Sequence, residues 1–141
     1  MKLLLLLIII ILSFGSISKA VTIDFWHIYY NNVKVKECND NNIYELKLLK
    51  DTINSNDSIS IRYFYSFHSA DFMIYIVIAD QNDKVIEYTQ GKNNSDPISF
   101  KLNKLLSSHY KNNTKEFYVY LTITTNISKL TKIPIFIIKL E

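Results

Sequence analysis

Apolar and polar side chains alternate with a period of two through most of this chain, which restricts it to strands that bury one face. Val21, Ile23, Phe25, His27 and Tyr29 share one side of the first run, with Thr22, Asp24, Trp26 and Ile28 on the other. Ile59, Ile61, Tyr63, Tyr65 and Phe67 alternate with Ser60, Arg62, Phe64, Ser66 and His68. Phe117, Val119, Leu121 and Ile123 alternate with Tyr118, Tyr120, Thr122 and Thr124. Residues 72–79 are apolar on both faces, as a central strand covered on each side would be.

Turn chemistry divides these runs. Asn31-Asn32, two residues that tolerate positive φ, predict a tight hairpin into the run Val33-Lys34-Val35-Lys36. Residues 43–49 read as a third strand or one helical turn, with the strand favoured. Asp80-Gln81-Asn82-Asp83 predicts a turn, and residues 84–88 return as its hairpin partner. Residues 89–97, with Gly91, two asparagines and Pro97, are the longest loop signal. A short strand at 98–102 leads to a brief helix over residues 103–110, with Asn103 as the expected cap and Leu102, Leu105 and Leu106 facing inward. The last strand, 133–140, carries Pro134 near its start, which predicts an edge position or a bulge because proline donates nothing to a ladder.

Ile76-Val77-Ile78-Ala79-Asp80 followed by Lys84-Val85-Ile86 is similar to the strand-turn-strand hairpins of bacterial immunoglobulin-like modules, without their usual glycine. That resemblance covers about a tenth of the chain and implies fold alone. Together with the strand spacing it leads us to expect an all-β fold: an immunoglobulin-like, Greek-key β-sandwich of about eight strands with one short helix near 103–110.

Residues 3–12 form a short apolar run behind Lys2 and end in Ser16-Ile17-Ser18-Lys19-Ala20, the parts of a cleavable secretory signal. The run is too short to span a bilayer as a helix, which needs about 20 apolar residues. The expected organisation is therefore a signal at 1–20 and a single β-sandwich domain at 21–141, secreted or periplasmic, with no stable membrane insertion after cleavage. Cys38 is the only cysteine, so an apolar core must hold the fold without disulfides.

The formal net charge is +3. Lys2 and Lys19 leave with the signal, so fourteen basic residues face thirteen acidic ones in the mature chain. That balance lacks the basic stripe of a nucleic-acid binder.

No spacing in the chain encodes a recognised catalytic centre. His27, His68 and His109 form no H-x-H, H-x-x-x-H or H-E-x-x-H pattern, so a zinc site would have to be assembled from distant residues such as His27, His68 and Cys38. Only Gly15 and Gly91 are glycines, which excludes phosphate-cradling loops, and no G-x-S-x-G is present. Asp80, Asn82 and Asp83 are the densest oxygen donors and the candidate metal ligands, although they lack the order of an EF-hand loop. We expect no cofactor. Asn56, Asn93, Asn112 and Asn126 each open an N-x-S/T acceptor sequence, meaningful in a eukaryotic or viral secretory host.

Aromatic residues are the remaining signal. Tyr63, Tyr65, Tyr118, Tyr120 and Trp26 are the candidate ligand-binding residues, since tyrosine joins a large contact area to a polar tip. The expected function is non-catalytic recognition of a protein or glycan through a sheet face or loops. One alternative is a structural or assembly component that pairs by strand addition through residues 21–30 or 133–140. Another is a small secreted hydrolase or metal-dependent enzyme built from distant His, Asp and Glu. Oligomeric state is not encoded in any pattern we recognise.

Overall fold

The computed structural model describes residues 24–39, 42–64, 72–92, 96–124 and 132–141. The leader and its exit at 16–20 lie outside the described residues. The described residues are mostly β, with two sheets and one α-helix among them. Its strands are β1 (Phe25–Tyr30), β2 (Val33–Asn39), β3 (Tyr44–Leu48), β4 (Ser58–Phe64), β5 (Met73–Asp80), β6 (Val85–Lys92), β7 (Ile98–Lys101), β8 (Glu116–Thr124) and β9 (Lys132–Leu140). The helix, α1, spans Asn103–Asn112, and a single 3-10 turn occupies Lys50–Thr52.

One sheet has the order β2-β1-β4-β7 and the other β3-β9-β8-β5-β6. All the pairings are antiparallel except β3 with β9, which run parallel. The inward rows follow the alternation. Trp26 and Ile28 of β1 and Ile59, Ile61 and Tyr63 of β4 meet Ile74, Ile76 and Ile78 of β5 and Phe117, Val119 and Leu121 of β8 in one continuous core. These side chains are almost completely buried, so the apolar transfer term holds the two sheets together.

The β1–β2 hairpin forms as expected. Asn31 and Asn32 adopt φ of 47° and 67°, the two consecutive positive values of a type I′ turn. The carboxamide of Asn31 then ties this turn to the next segment: its Oδ1 accepts from Ser58 N and its Nδ2 donates to Asp57 Oδ1, both at 2.9 Å.

Pro134 does mark a bulge, inside a sheet rather than at its edge. Val119 pairs with Phe136 and Tyr120 with Pro134, so Ile135 is the extra residue. The bulge lets two successive residues, Ile135 and Phe136, both enter the core. The helix departs from expectation at its start. Leu102 holds the cap position, fully buried, with its N–H on Asp57 O at 2.9 Å, and Asn103 is the first helical residue. A buried leucine anchored by its backbone sets this helix start, where a polar cap was expected.

Gly91 sits where β6 approaches β7. A Cβ there would come within 2.6 Å of Ile98 Cγ1, so no larger residue fits without displacing a buried isoleucine. Residues 72–79 do form an interior strand, flanked by β6 and β8. Its inner row is fully buried. Its outer row, Met73, Tyr75 and Val77, is only half-buried.

Candidate functional site

The outward face of the five-stranded sheet follows from register. Val77 lies opposite Tyr88 on one side and Tyr120 on the other, and Tyr120 lies opposite Pro134. One row over, Ala79 lies opposite Val85 and Tyr118, and Tyr118 opposite Ile137. Two adjacent cross-strand rows are thus aromatic or aliphatic from β6 to β9. Tyr88 stands out with 67 % of its surface exposed, and Val85 is also exposed. A solvated sheet face ordinarily fills such rows with polar residues.

Charged groups border this face. Lys139 Nζ lies 2.8 Å from Glu45 Oε1 and 3.4 Å from Glu116 Oε1, contacts that hold its ammonium pKa above the ordinary value. The Tyr118 phenol donates to Glu116 Oε2 at 3.2 Å, and burial together with that carboxylate raises its pKa. Lys132 Nζ lies 5.3 Å from the centre of the Tyr120 ring, a cation–π contact.

The five aromatic residues singled out in sequence therefore separate. Tyr118 and Tyr120 come together on this outward face. Trp26, with 2 % of its surface exposed, and Tyr63, with 6 %, lie between the sheets. Their rings stack at 6.2 Å, and the Tyr63 phenol donates to Asp24 Oδ2 at 2.9 Å. Tyr65 falls outside the described residues.

Asp80, Asn82 and Asp83 occupy the β5–β6 connection as an ordinary polar turn. Asp80 Oδ1 accepts from the backbone N–H groups of Asn82 and Lys84 at 2.8 and 3.0 Å. Asp83 adopts φ of 60°, and its carboxylate takes both hydrogen bonds from Lys132 Nζ, at 3.0 and 3.1 Å. The Asp80 contacts are those of a turn closed by its own carboxylate. Among the described residues no group of three or more His, Cys, Asp or Glu is placed to hold a metal ion.

A second cluster, on the outward face of the four-stranded sheet, was not foreseen. Phe25 and Phe64 stack with ring centres 4.5 Å apart, and His27 lies 4.8 Å from the Phe64 ring. Across the ladder His27 pairs with Arg62, and Arg62 Cζ lies 5.9 Å from the Tyr29 ring centre. His27 Nε2 sits 2.9 Å from Glu37 Oε2 on β2. The alternation alone puts Phe25, His27 and Tyr29 on one side. Only the β1–β4 register brings Arg62 beside them.

His68 lies outside the described residues. His109 is buried at the end of α1 with Nδ1 2.8 Å from Thr114 O, a structural role. Cys38 is buried, and desolvation raises its thiol pKa. It borders a cleft of about 370 Å³ between β2 and β3, lined also by Lys36, Glu37 and Tyr44. Asn56 and Asn112 are exposed, while Asn93 and Asn126 fall outside the described residues. No described helix is long and apolar enough to cross a membrane. No known family model, curated protein or solved structure matches the chain.

Proposed function

We propose that this chain is a secreted, non-catalytic binding domain of the immunoglobulin-like type, which docks a protein partner on the outward face of its five-stranded sheet. The observation that carries this reading is the pair of apolar and aromatic rows running from Val85 and Tyr88 across Val77, Tyr118 and Tyr120 to Ile137 and Pro134. A patch that spans four strands suits a macromolecule better than a small ligand. The exposed Tyr88 and the half-buried Tyr118 and Tyr120 match the residue preferences of protein interfaces.

The immunoglobulin-like assignment is supported by strand order. Taking β4, β5, β6, β7, β8 and β9 as strands B, C, C′, E, F and G puts B beside E in one sheet and C′-C-F-G in the other. Export is supported by the leader's composition.

Assembly by strand addition has less support. β1 pairs with β2 and β4 along its whole length and β9 pairs with β3 over residues 136–140 and with β8, so most of the ladder of the described part of both segments is filled on each side, while residues 21–23 lie outside the described residues. Edge strand β2 does expose Val33 and Val35, but Lys34 and Lys36 alternate with them as charges that discourage pairing.

The test is a panel of displayed extracellular proteins and glycans probed with the mature chain and with its Val77→Asp variant. The proposal predicts a protein ligand whose binding falls at least tenfold in the variant while circular dichroism stays the same. Glycan ligands alone, or binding indifferent to Val77→Asp, would contradict it.

A further inference from the structure

We propose that the outward face of the opposite, four-stranded sheet carries a carboxylate-binding site centred on Arg62. Arg62 is the only arginine in the chain, and its side chain is half-buried on β4. The ion pairs of the described residues all use lysine or His27, and none involves its guanidinium. Arg62 Nε is buried with no hydrogen-bond partner among the described residues. A partly desolvated cation left without a counter-charge is unfavourable, and an arriving anion relieves that deficit.

The surroundings select the kind of anion. Glu37, on the far side of β1 from Arg62, lies 2.9 Å from His27 Nε2 and 3.5 Å from Lys34 Nζ. Because Nε is sealed, the two Nη groups form the available fork, and that planar pair matches the two oxygens of a carboxylate. Tyr29 lies beside the guanidinium, and the stacked Phe25 and Phe64 rings, with His27 against them, form an adjoining shelf. On the other side, Ser60 Oγ and Ser99 Oγ lie 2.8 Å apart in the next row of the ladder. The arrangement fits a carboxylate attached to a flat or apolar body, with the exposed Ser99 hydroxyl one row away for a polar substituent. Two sources share this chemistry: a carboxylated sugar and the C-terminus of a peptide that ends in an apolar residue. This site lies on the sheet opposite the proposed docking face, so its success or failure is independent of that reading.

A single arginine gives a single Nε–H signal in ¹⁵N-edited NMR, which makes the test direct. Mature protein is titrated with benzoate, with its neutral isostere benzamide, with methyl glucuronide and with N-acetylphenylalanine. The expected result is a saturable shift of the Arg62 Nε–H signal and of Tyr29 and Phe64 resonances with benzoate, at least fivefold weaker with benzamide. Whichever of methyl glucuronide and N-acetylphenylalanine binds more tightly identifies the source. Arg62→Gln should abolish the Tyr29 and Phe64 shifts without changing the thermal midpoint. Arg62→Lys, which keeps charge but loses the fork, should weaken binding at least fivefold. No saturable shift with any carboxylate, an equal response to benzamide, or unchanged binding in Arg62→Lys would overturn the proposal.

Discussion

The Tyr30 phenol, at the end of β1, donates a 2.6 Å hydrogen bond to Asp57 Oδ2, one residue ahead of β4. The same carboxylate accepts from Asn54 N and Asn31 Nδ2, each at 2.9 Å, while Asp57 O accepts from Leu102 N. One residue thus ties the β1–β2 turn, the approach to β4 and the start of α1 together.

Both partners of that bond make stability depend on pH. The three hydrogen bonds hold the Asp57 carboxyl below its ordinary value, the Tyr30 bond contributing most. A depressed carboxylate stabilises the fold above its unfolded pKa, and that contribution disappears as pH falls through the folded value. Burial, then the bond to Asp57, pushes Tyr30 up to about 12 from 10.0. Its contribution is complete below 10.0 and is lost as pH rises through about 12. Tyr30→Phe should lower the thermal midpoint at pH 7 by a few degrees, the scale of one hydrogen bond. It should also flatten the acid limb of stability, since the largest cause of the Asp57 shift is gone. Thermal melts of both proteins from pH 2 to 7 check this. An acid limb unchanged in the variant would count against it.

Gly91→Ala should destabilise the protein by about 1–3 kcal/mol through overpacking. The added methyl meets Ile98 Cγ1 at 2.6 Å. Ile98→Val keeps that atom position filled, whereas Ile98→Ala removes it, so Gly91→Ala/Ile98→Ala should be less destabilised than the sum of the two single changes. Urea denaturation of the four-member cycle measures the coupling, and strict additivity would show that the contact is not the cause.

The end of α1 makes a third prediction. His109 Nδ1–H donates to Thr114 O at 2.8 Å in a buried site, and Asn113 adopts φ of 54° as the left-handed residue after the helix. His109→Ala strands a buried carbonyl and leaves a void, a loss of about 2 kcal/mol or more. Asn113→Gly should be neutral within about 0.5 kcal/mol, because glycine also accepts that conformation, while Asn113→Val should cost about 1–2 kcal/mol. Equal effects of Gly and Val at 113 in chemical denaturation would refute the backbone argument.

Much of this fold can be read from residue order because its signals are local. The Asn31-Asn32 turn, the alternation in β1, β4 and β8 and the Pro134 bulge each follow from one or two neighbouring residues. What fails is whatever depends on pairing between distant strands. Alternation divides β1 into a Trp26 face and a His27 face without saying which turns inward; the partners across the core decide that. Trp26 and Tyr63 lie between the sheets, and Arg62 meets Tyr29 and His27, only because β1 pairs with β4 and not with a sequence neighbour alone. Likewise, nothing in residues 133–140 announces that β9 is enclosed by a parallel β3. Asn103 resembled a helix cap by type, yet tertiary anchoring of Leu102 sets the boundary one residue earlier.

We propose that the outward rows of the five-stranded sheet serve a partner and not the stability of the monomer. The most direct measurement is Tyr88→Ala/Tyr120→Ala, assayed for unfolding free energy and for binding to the protein found with the display panel. The expected outcome is a stability loss of no more than about 1–2 kcal/mol, the scale of cross-strand side-chain pairs, with binding weakened a hundredfold or more. A variant that binds as well as the parent, or one that loses its fold together with its binding, would contradict it.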